Sequence, residues 1–357
     1  MIDKIVNNRT AQQAVLEELS ASSLGIRPTS ILKLKGDASL RTIYRISGGD
    51  RSIIGVYGPD LSENKAFIKF TRTFLKLDLP VPELFSVHDS GYYYLLEDLG
   101  DLTLFDHLLQ LRDGTGLQFP RNEIACHYYE AVEQLVRFQV MGANEIDYSY
   151  CYQHDAFSEE SWIFDHNYFI DCFAKVLLPG YQKWDIVENE LAKHRKLLIP
   201  YPQKYFLYRD FQSRNIMVAE NLKFIDYQSG RRGAVSYDIA SLLYDARADL
   251  PGDFMHELLE LHIEGICDNT EMTADELHSA FAPFALMRVL QALGAYGNLG
   301  ILKGRSEYLE SIPYGLRNCL ALLHDDERLR KLESLSDLLY RIQEERAWEN
   351  IKPDTKG

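Results

Sequence analysis

Asp210, Asn215 and Asp226 each stand at the edge of a short apolar run. Phe206-Leu207-Tyr208 leads into Arg209-Asp210, Asn215 opens directly onto Ile216-Met217-Val218, and Lys223-Phe224-Ile225 ends at Asp226. Three strand-like pieces would then deliver two carboxylates and one amide to one small volume. That set suits phosphoryl transfer, which needs a carboxylate to accept the proton of an attacking hydroxyl and hard oxygen ligands for Mg²⁺ on the nucleotide phosphates. Asp210 fits the first role, Asn215 and Asp226 the second. Asp and Asn also mark simple turns between strands; the apolar runs beside all three favour the chemical reading.

The elements that must position them can be read in chain order. Thr10-x-x-Gln13 has the form of a capping box opening a helix that ends near Gly25. Ile31 to Leu34, Thr42 to Ile46 and Ser52 to Val56 read as strands, with Gly48-Gly49-Asp50 as the turn between the last two. A helix follows from about Ser62 to Lys76 and stops before Pro80-Val81-Pro82. Leu84 to Val87 and Tyr92 to Leu96 make a strand pair that runs into Glu97-Asp98-Leu99-Gly100. From Leu104 the chain turns helical, with a core helix over Asn122 to Met141, an aromatic-rich one over Phe157 to Leu178 and another over Trp184 to Leu197. After Asp245 helices continue to the end: one opens at the capping box Thr273-x-x-Glu276, one starts near Pro313, and the last spans Glu327 to Glu345.

A chain of 357 residues with 46% hydrophobic and 25% charged residues can bury a two-lobed core. The net charge of −15, with no basic stripe, excludes nucleic acid as the expected partner. No apolar run reaches the length of a membrane span, and the first residues do not form a signal peptide. Five widely spaced cysteines (Cys126, Cys151, Cys172, Cys267, Cys319) show neither a zinc pattern nor a disulfide framework, which points to the cytoplasm.

Tyr208-Arg209-Asp210-x4-Asn215 resembles the catalytic loop of protein kinases, H-R-D-x-x-x-x-N, with Tyr in place of His. Asp210-x4-Asn215, Ile225-Asp226 and Ser236-Tyr237-Asp238-Ile239-Ala240 look like the aminoglycoside phosphotransferase and choline kinase superfamily. Within it, Asp226-Tyr227-Gln228, Gly233, Tyr237-Asp238, Ser241 to Asp245, Arg288 to Tyr296 and Tyr308-Leu309-x-x-Ile312-Pro313 are similar to the bacterial anomeric kinases of N-acetylmuramate and N-acetylglucosamine.

The resemblance implies an α+β fold in two lobes, a β-rich nucleotide-binding lobe over residues 1–100 and a helical catalytic lobe over residues 101–357. It implies ATP and Mg²⁺ as cofactors and a small-molecule acceptor, a sugar by preference. An aminoglycoside or choline-like amine, or a non-catalytic nucleotide-binding role, are the alternatives. The Gly36–Arg41 loop would fold over the phosphates, with Ser39 and Arg41 as contacts, and Glu97 and Leu99 would border adenine where the lobes join. The third strand, Ile53 to Tyr57, lacks the Lys that usually holds the phosphates; Arg41 or Arg45 is the candidate replacement, or the metal ions suffice without one, and Glu63 is the candidate helix partner. Asp238 would brace the catalytic loop, Gln212, Arg214 and Gln228 would flank the reacting groups, and Glu160 with Phe164 would meet the acceptor. As ordinary residues, Glu63 is a helix-start carboxylate, Phe164 part of a core stripe, and Arg231-Arg232 a solvated loop pair.

Overall fold

The structure is a computed structural model that describes residues 10–34 and 40–350, so Ser39 lies outside the described residues. Five antiparallel strands form one sheet in the order β1-β2-β3-β5-β4: β1 Ser30–Lys33, β2 Thr42–Gly48, β3 Arg51–Tyr57, β4 Leu84–Val87 and β5 Tyr93–Glu97. β2 and β3 pair from Thr42↔Tyr57 to Gly48↔Arg51, and Gly49 makes their tight turn at φ +62°.

Helix α1 (Ala11–Leu24) begins at the Thr10/Gln13 capping box and ends at Gly25 in the left-handed conformation. Its Leu16 and Leu19 pack on Tyr44, Ile46, Ile53 and Leu95 of the sheet. Helix α2 (Leu61–Lys76) is capped by the Asp60 carboxylate, which accepts from the amides of Ser62 and Glu63. The buried face of α2, with Ala66, Phe67, Phe70 and Phe74, joins Tyr94 of the sheet to Phe206, Tyr208 and Tyr227 in one core. The apolar face of α2 therefore sets the sheet against the catalytic stretch.

The larger lobe is helical. Helix α3 (Leu104–Thr115) precedes α4 (Arg121–Glu145), the central helix, whose Ile124, Tyr128, Ala131, Leu135 and Phe138 are fully buried. The expected helix over Phe157 to Leu178 is instead α5 (Glu159–Phe169), followed by a π-helical turn, Ile170–Ala174, and a short helical end, Lys175–Leu177. Two short strand pairs carry the catalytic stretch: β6 (Tyr205–Leu207) with β9 (Arg231–Gly233), and β7 (Ile216–Val218) with β8 (Leu222–Phe224). Arg231-Arg232 is thus strand rather than loop, and Arg231 is buried rather than solvated. The last helix starts at Glu333, not near Glu327. Asp326 Oδ1 accepts from the amides of Arg328 and Leu329 at 2.8 and 3.2 Å, which closes a separate 3₁₀ turn first. Among the described residues no helix is long and apolar enough to cross a membrane.

Helix Ala274–Tyr296 packs closely on α5 and the π turn. A Cβ at Gly297, just past that helix, would lie 2.1 Å from the carbonyl oxygen of Cys172. The obstacle is backbone, so it cannot swing away. Gly297→Ala is expected to lose about 1–3 kcal/mol of stability by overpacking, read as a lower urea midpoint at unchanged m-value.

Candidate active site

The main chain before Asp210 is held from three sides. Asp238, fully buried in helix Ser236–Leu243, accepts from the amides of Tyr208 at 2.7 Å and Arg209 at 2.9 Å. Tyr208 points its hydroxyl at the carbonyl of Ile225, 2.6 Å away, so the Tyr that replaces the usual His ties the loop to the residue preceding Asp226. Arg209 takes φ +81°, an unusual conformation for a long side chain. Its guanidinium is sandwiched by the rings of Phe157 and Tyr237 at 4.8 and 5.0 Å, and its Nη2 donates to both oxygens of Asp165 at 2.8 Å. Past Asp210, Ser213 is held by Asp245, whose carboxylate accepts from its amide at 3.2 Å and from its hydroxyl.

Asn215 Nδ2 donates to the carbonyl of Asp210 at 2.9 Å, which fixes the amide and leaves its oxygen as the available donor atom. Asp226 lies at φ +70° after β8. Its Oδ1 accepts from Arg41 Nη2 at 2.6 Å and from Gln228 Nε2 at 2.8 Å. Arg41 Nε also lies 3.4 Å from Glu63 of α2. Arg41 therefore joins the helix carboxylate to Asp226 from the start of β2, a different strand from the one that usually carries the cation. Arg45 does not share the task. It binds Asp98 and Asp101 with contacts of 2.7–3.0 Å, clamping β2 to the segment between the lobes. Next to Asp226, Tyr227 stacks on Phe67 of α2 at 5.1 Å with rings 5° from parallel, and its hydroxyl meets that of Thr71 at 2.6 Å. The position of α2 and the position of Asp226 are thus linked by packing and by charge.

The remaining candidates are spread more widely. Glu97 ends β5 and accepts from the amide of Glu83 at 3.1 Å and from Lys223 Nζ at 3.4 Å. Leu99 is half-buried just beyond it. Gln212 is half-buried, and its amide donates to the Asp210 carbonyl at 2.9 Å. Arg214 is exposed and lies over the ring of Phe105 at 4.0 Å. Glu160 is exposed in the first turn of α5, and Phe164 is 67% exposed and stacks on Tyr168, so it is not part of a core stripe. Sequence reasoning did not single out Asp165, which sits among aromatic residues. It noted Arg288 only for its family resemblance. The available signal for Arg288 is a lone charge inside the apolar run Phe284-Ala-Leu-Met-Arg-Val-Leu290 of a core helix.

Burial, and charge second, set the protonation behaviour. Burial, and then the neighbouring Asp226, push the Asp210 carboxyl above the ordinary aspartate range, while Arg209, Arg288 and Arg231 pull it back. Burial pushes Asp238 up to about 7 against the pull of its two backbone donors. Burial also raises Glu63, opposed by Arg41. A divalent cation fits the donor set. The Asn215 amide oxygen and the Asp226 carboxylate are hard oxygen ligands, and among the described residues no group of three His, Cys, Asp or Glu side chains could hold a metal alone. The rest of its shell would come from phosphates and water, as magnesium usually prefers.

The chain is similar to known proteins at two levels, in sequence and in fold. Over 300 residues the chain is 24% identical to an N-acetylmuramate/N-acetylglucosamine kinase of Pseudomonas aeruginosa, covering 81% of this chain and 82% of that one. A choline/ethanolamine kinase family protein of Mesorhizobium loti superposes with a TM-score of 0.60 at 14% identity, over 91% of this chain and 99% of that one. A spectinomycin phosphotransferase solved with ADP and spectinomycin superposes with a TM-score of 0.58 at 14% identity, over 93% and 100%. These two likenesses establish the two-lobed protein-kinase-like fold. The model of the phosphotransferase enzyme family matches residues 30–266, and the chain belongs to that family.

Proposed function

We propose that this phosphotransferase moves the γ-phosphoryl group of ATP to the anomeric hydroxyl of an N-acetylated amino sugar, giving a sugar 1-phosphate and ADP. The observation that carries the reading is the identity shared along four-fifths of the chain with a kinase named for N-acetylmuramate and N-acetylglucosamine. The division of labour follows the lobes, parted at about residue 100. ATP lies between them with adenine along Glu97 to Leu99. Asp210 accepts the hydroxyl proton as the sugar oxygen attacks phosphorus and the bond to the ADP oxygen breaks. Asn215 and Asp226 would hold a magnesium ion, which would supply neutralisation of the phosphate charge. Asp238 keeps the loop backbone in place, and Gln212, Arg214 and Gln228 border the acceptor, with Glu160 at the outer edge. The reaction belongs in the cytoplasm, in the reuse of cell-wall amino sugars.

Arg41, held between Glu63 and Asp226 beside the candidate metal ligands, takes the part of the missing strand Lys and would meet the phosphates there. Arg41→Ala is expected to lower kcat/KM for ATP by about 10- to 100-fold, the loss of one charge-assisted hydrogen bond of about 1.5–3 kcal/mol. Arg41→Lys should recover part of that loss. An unchanged kcat/KM in Arg41→Ala would move the phosphate contact elsewhere.

The function is tested by ADP release with ATP and Mg²⁺ against N-acetylglucosamine, N-acetylmuramate, simple hexoses, choline and an aminoglycoside. Turnover confined to the N-acetyl sugars is expected. Turnover of the amines alone would transfer the reading to a cationic acceptor, and nucleotide binding without turnover of any acceptor would make the protein a non-catalytic module.

A further inference from the structure

Among the described residues, two buried arginines of the catalytic lobe bond to no carboxylate. Arg231, on β9, is 4% exposed; its Nε donates to the carbonyl of Ser229 at 3.0 Å and its Nη2 to Gln153 Oε1 at 2.6 Å. Arg288, on helix Ala274–Tyr296, is 7% exposed; its Nε donates to Ser241 Oγ at 2.8 Å and its Nη1 to Gln291 Oε1 at 2.9 Å. Every one of these partners is neutral. Among the described residues neither arginine forms an ion pair, whereas Arg209 beside them is matched by Asp165. A guanidinium withdrawn from water is costly unless an anion meets it. Each also keeps N–H groups beyond those bonds, in the planar fork that suits a carboxylate.

Both charges act on Asp210, and both come from elements of the helical lobe. A third group on the same stretch is unfinished: Gln228 is 6% exposed, and its Oε1 is buried with no partner among the described residues. The helical lobe thus brings two buried guanidinium groups, neither in an ion pair among the described residues, near the base of a protein whose net charge is −15. Such groups suit an anion better than an amine.

We propose that Arg288 and Arg231 read a carboxylate on the acceptor, such as the lactyl group that distinguishes N-acetylmuramate from N-acetylglucosamine. The proposal rests on the amino-sugar reading above and assigns selectivity within it to these two residues. It is tested by steady-state kinetics with both sugars at saturating ATP. In Arg288→Gln the ratio of kcat/KM for N-acetylmuramate over N-acetylglucosamine should fall at least tenfold, chiefly through KM for N-acetylmuramate, and Arg288→Lys should recover part of it. Arg231→Gln should shift the ratio in the same direction. An equal fall for both sugars, carried by kcat, would overturn the proposal and place these charges on the transferred phosphoryl group or in the fold. An unchanged ratio would also overturn it. Should the wild-type protein turn over neither sugar, the amino-sugar reading fails by itself, and thermal shifts with sugar acids against their neutral parent sugars decide the subsite. Stabilisation by the acids that is lost in Arg288→Gln supports it; no preference for the acids overturns it.

Discussion

Replacing Asp210 by Asn is expected to lower kcat by about 10²–10⁴-fold, the usual contribution of a positioned general base, while leaving KM for ATP nearly unchanged. The protein should not lose stability. Among the described residues the Asp210 side chain accepts no hydrogen bond, and burial beside Asp226 already disfavours its ionised form. The amide therefore removes an unfavourable charge and no bond, and Tm should equal or exceed that of the wild type. The same environment fixes the pH dependence. A base works deprotonated, and its carboxyl is raised, so kcat/KM should fall on acidification at a pH above the ordinary aspartate range and rise to a plateau on the alkaline side. A variant with full turnover, or a wild-type acid limb at or below the usual aspartate value, would remove Asp210 from that role.

Asp165→Ala is expected to cost about 3–5 kcal/mol of stability, the penalty for leaving one member of a buried ion pair unmatched. The Arg209 and Asp165 side chains are only 12% and 2% exposed, and both carboxylate oxygens accept from the same Nη2. Without the carboxylate the guanidinium stays between Phe157 and Tyr237 with no anion to balance it. Activity should fall with stability, because Arg209 immediately precedes Asp210 and its backbone is held in the left-handed region. Replacing the pair together, Asp165→Ala with Arg209→Met, should return part of the stability, since neither unmatched charge remains. Urea unfolding of the two variants separates the cases; a loss below about 1 kcal/mol in Asp165→Ala would mean that the pair is solvated like a surface salt bridge.

The catalytic stretch was legible because its strands are short, apolar and local. β7 and β8 are neighbours in the chain, and Asn215 and Asp226 sit at their outer ends. The capping boxes at Thr10 and Thr273 were legible for the same reason, each being a reciprocal bond within one helical turn. What escaped depends on distant contacts. Arg231 looks like a loop residue until β9 pairs with β6, far earlier in the chain. Asp165 is one acid in an aromatic segment, and its significance lies in meeting Arg209 across the fold. The π turn at Ile170–Ala174 leaves no mark in apolar spacing; what it packs against, Gly297, lies more than a hundred residues on in the sequence. For the strand Lys the sequence leaves Arg41, Arg45 or the metal ions alone as replacements, and the carboxylates around the two arginines differ. Asp98 and Asp101 hold Arg45, whereas Glu63 and Asp226 hold Arg41.

The position of the phosphate in the product is the most direct measurement. The purified protein is incubated with ATP, Mg²⁺ and N-acetylglucosamine, and the product is examined by phosphorus–proton correlation NMR. A phosphorus coupled to the anomeric proton is the expected result. Phosphate on another sugar hydroxyl, or transfer only to choline or an aminoglycoside in parallel reactions, would contradict an anomeric amino-sugar kinase.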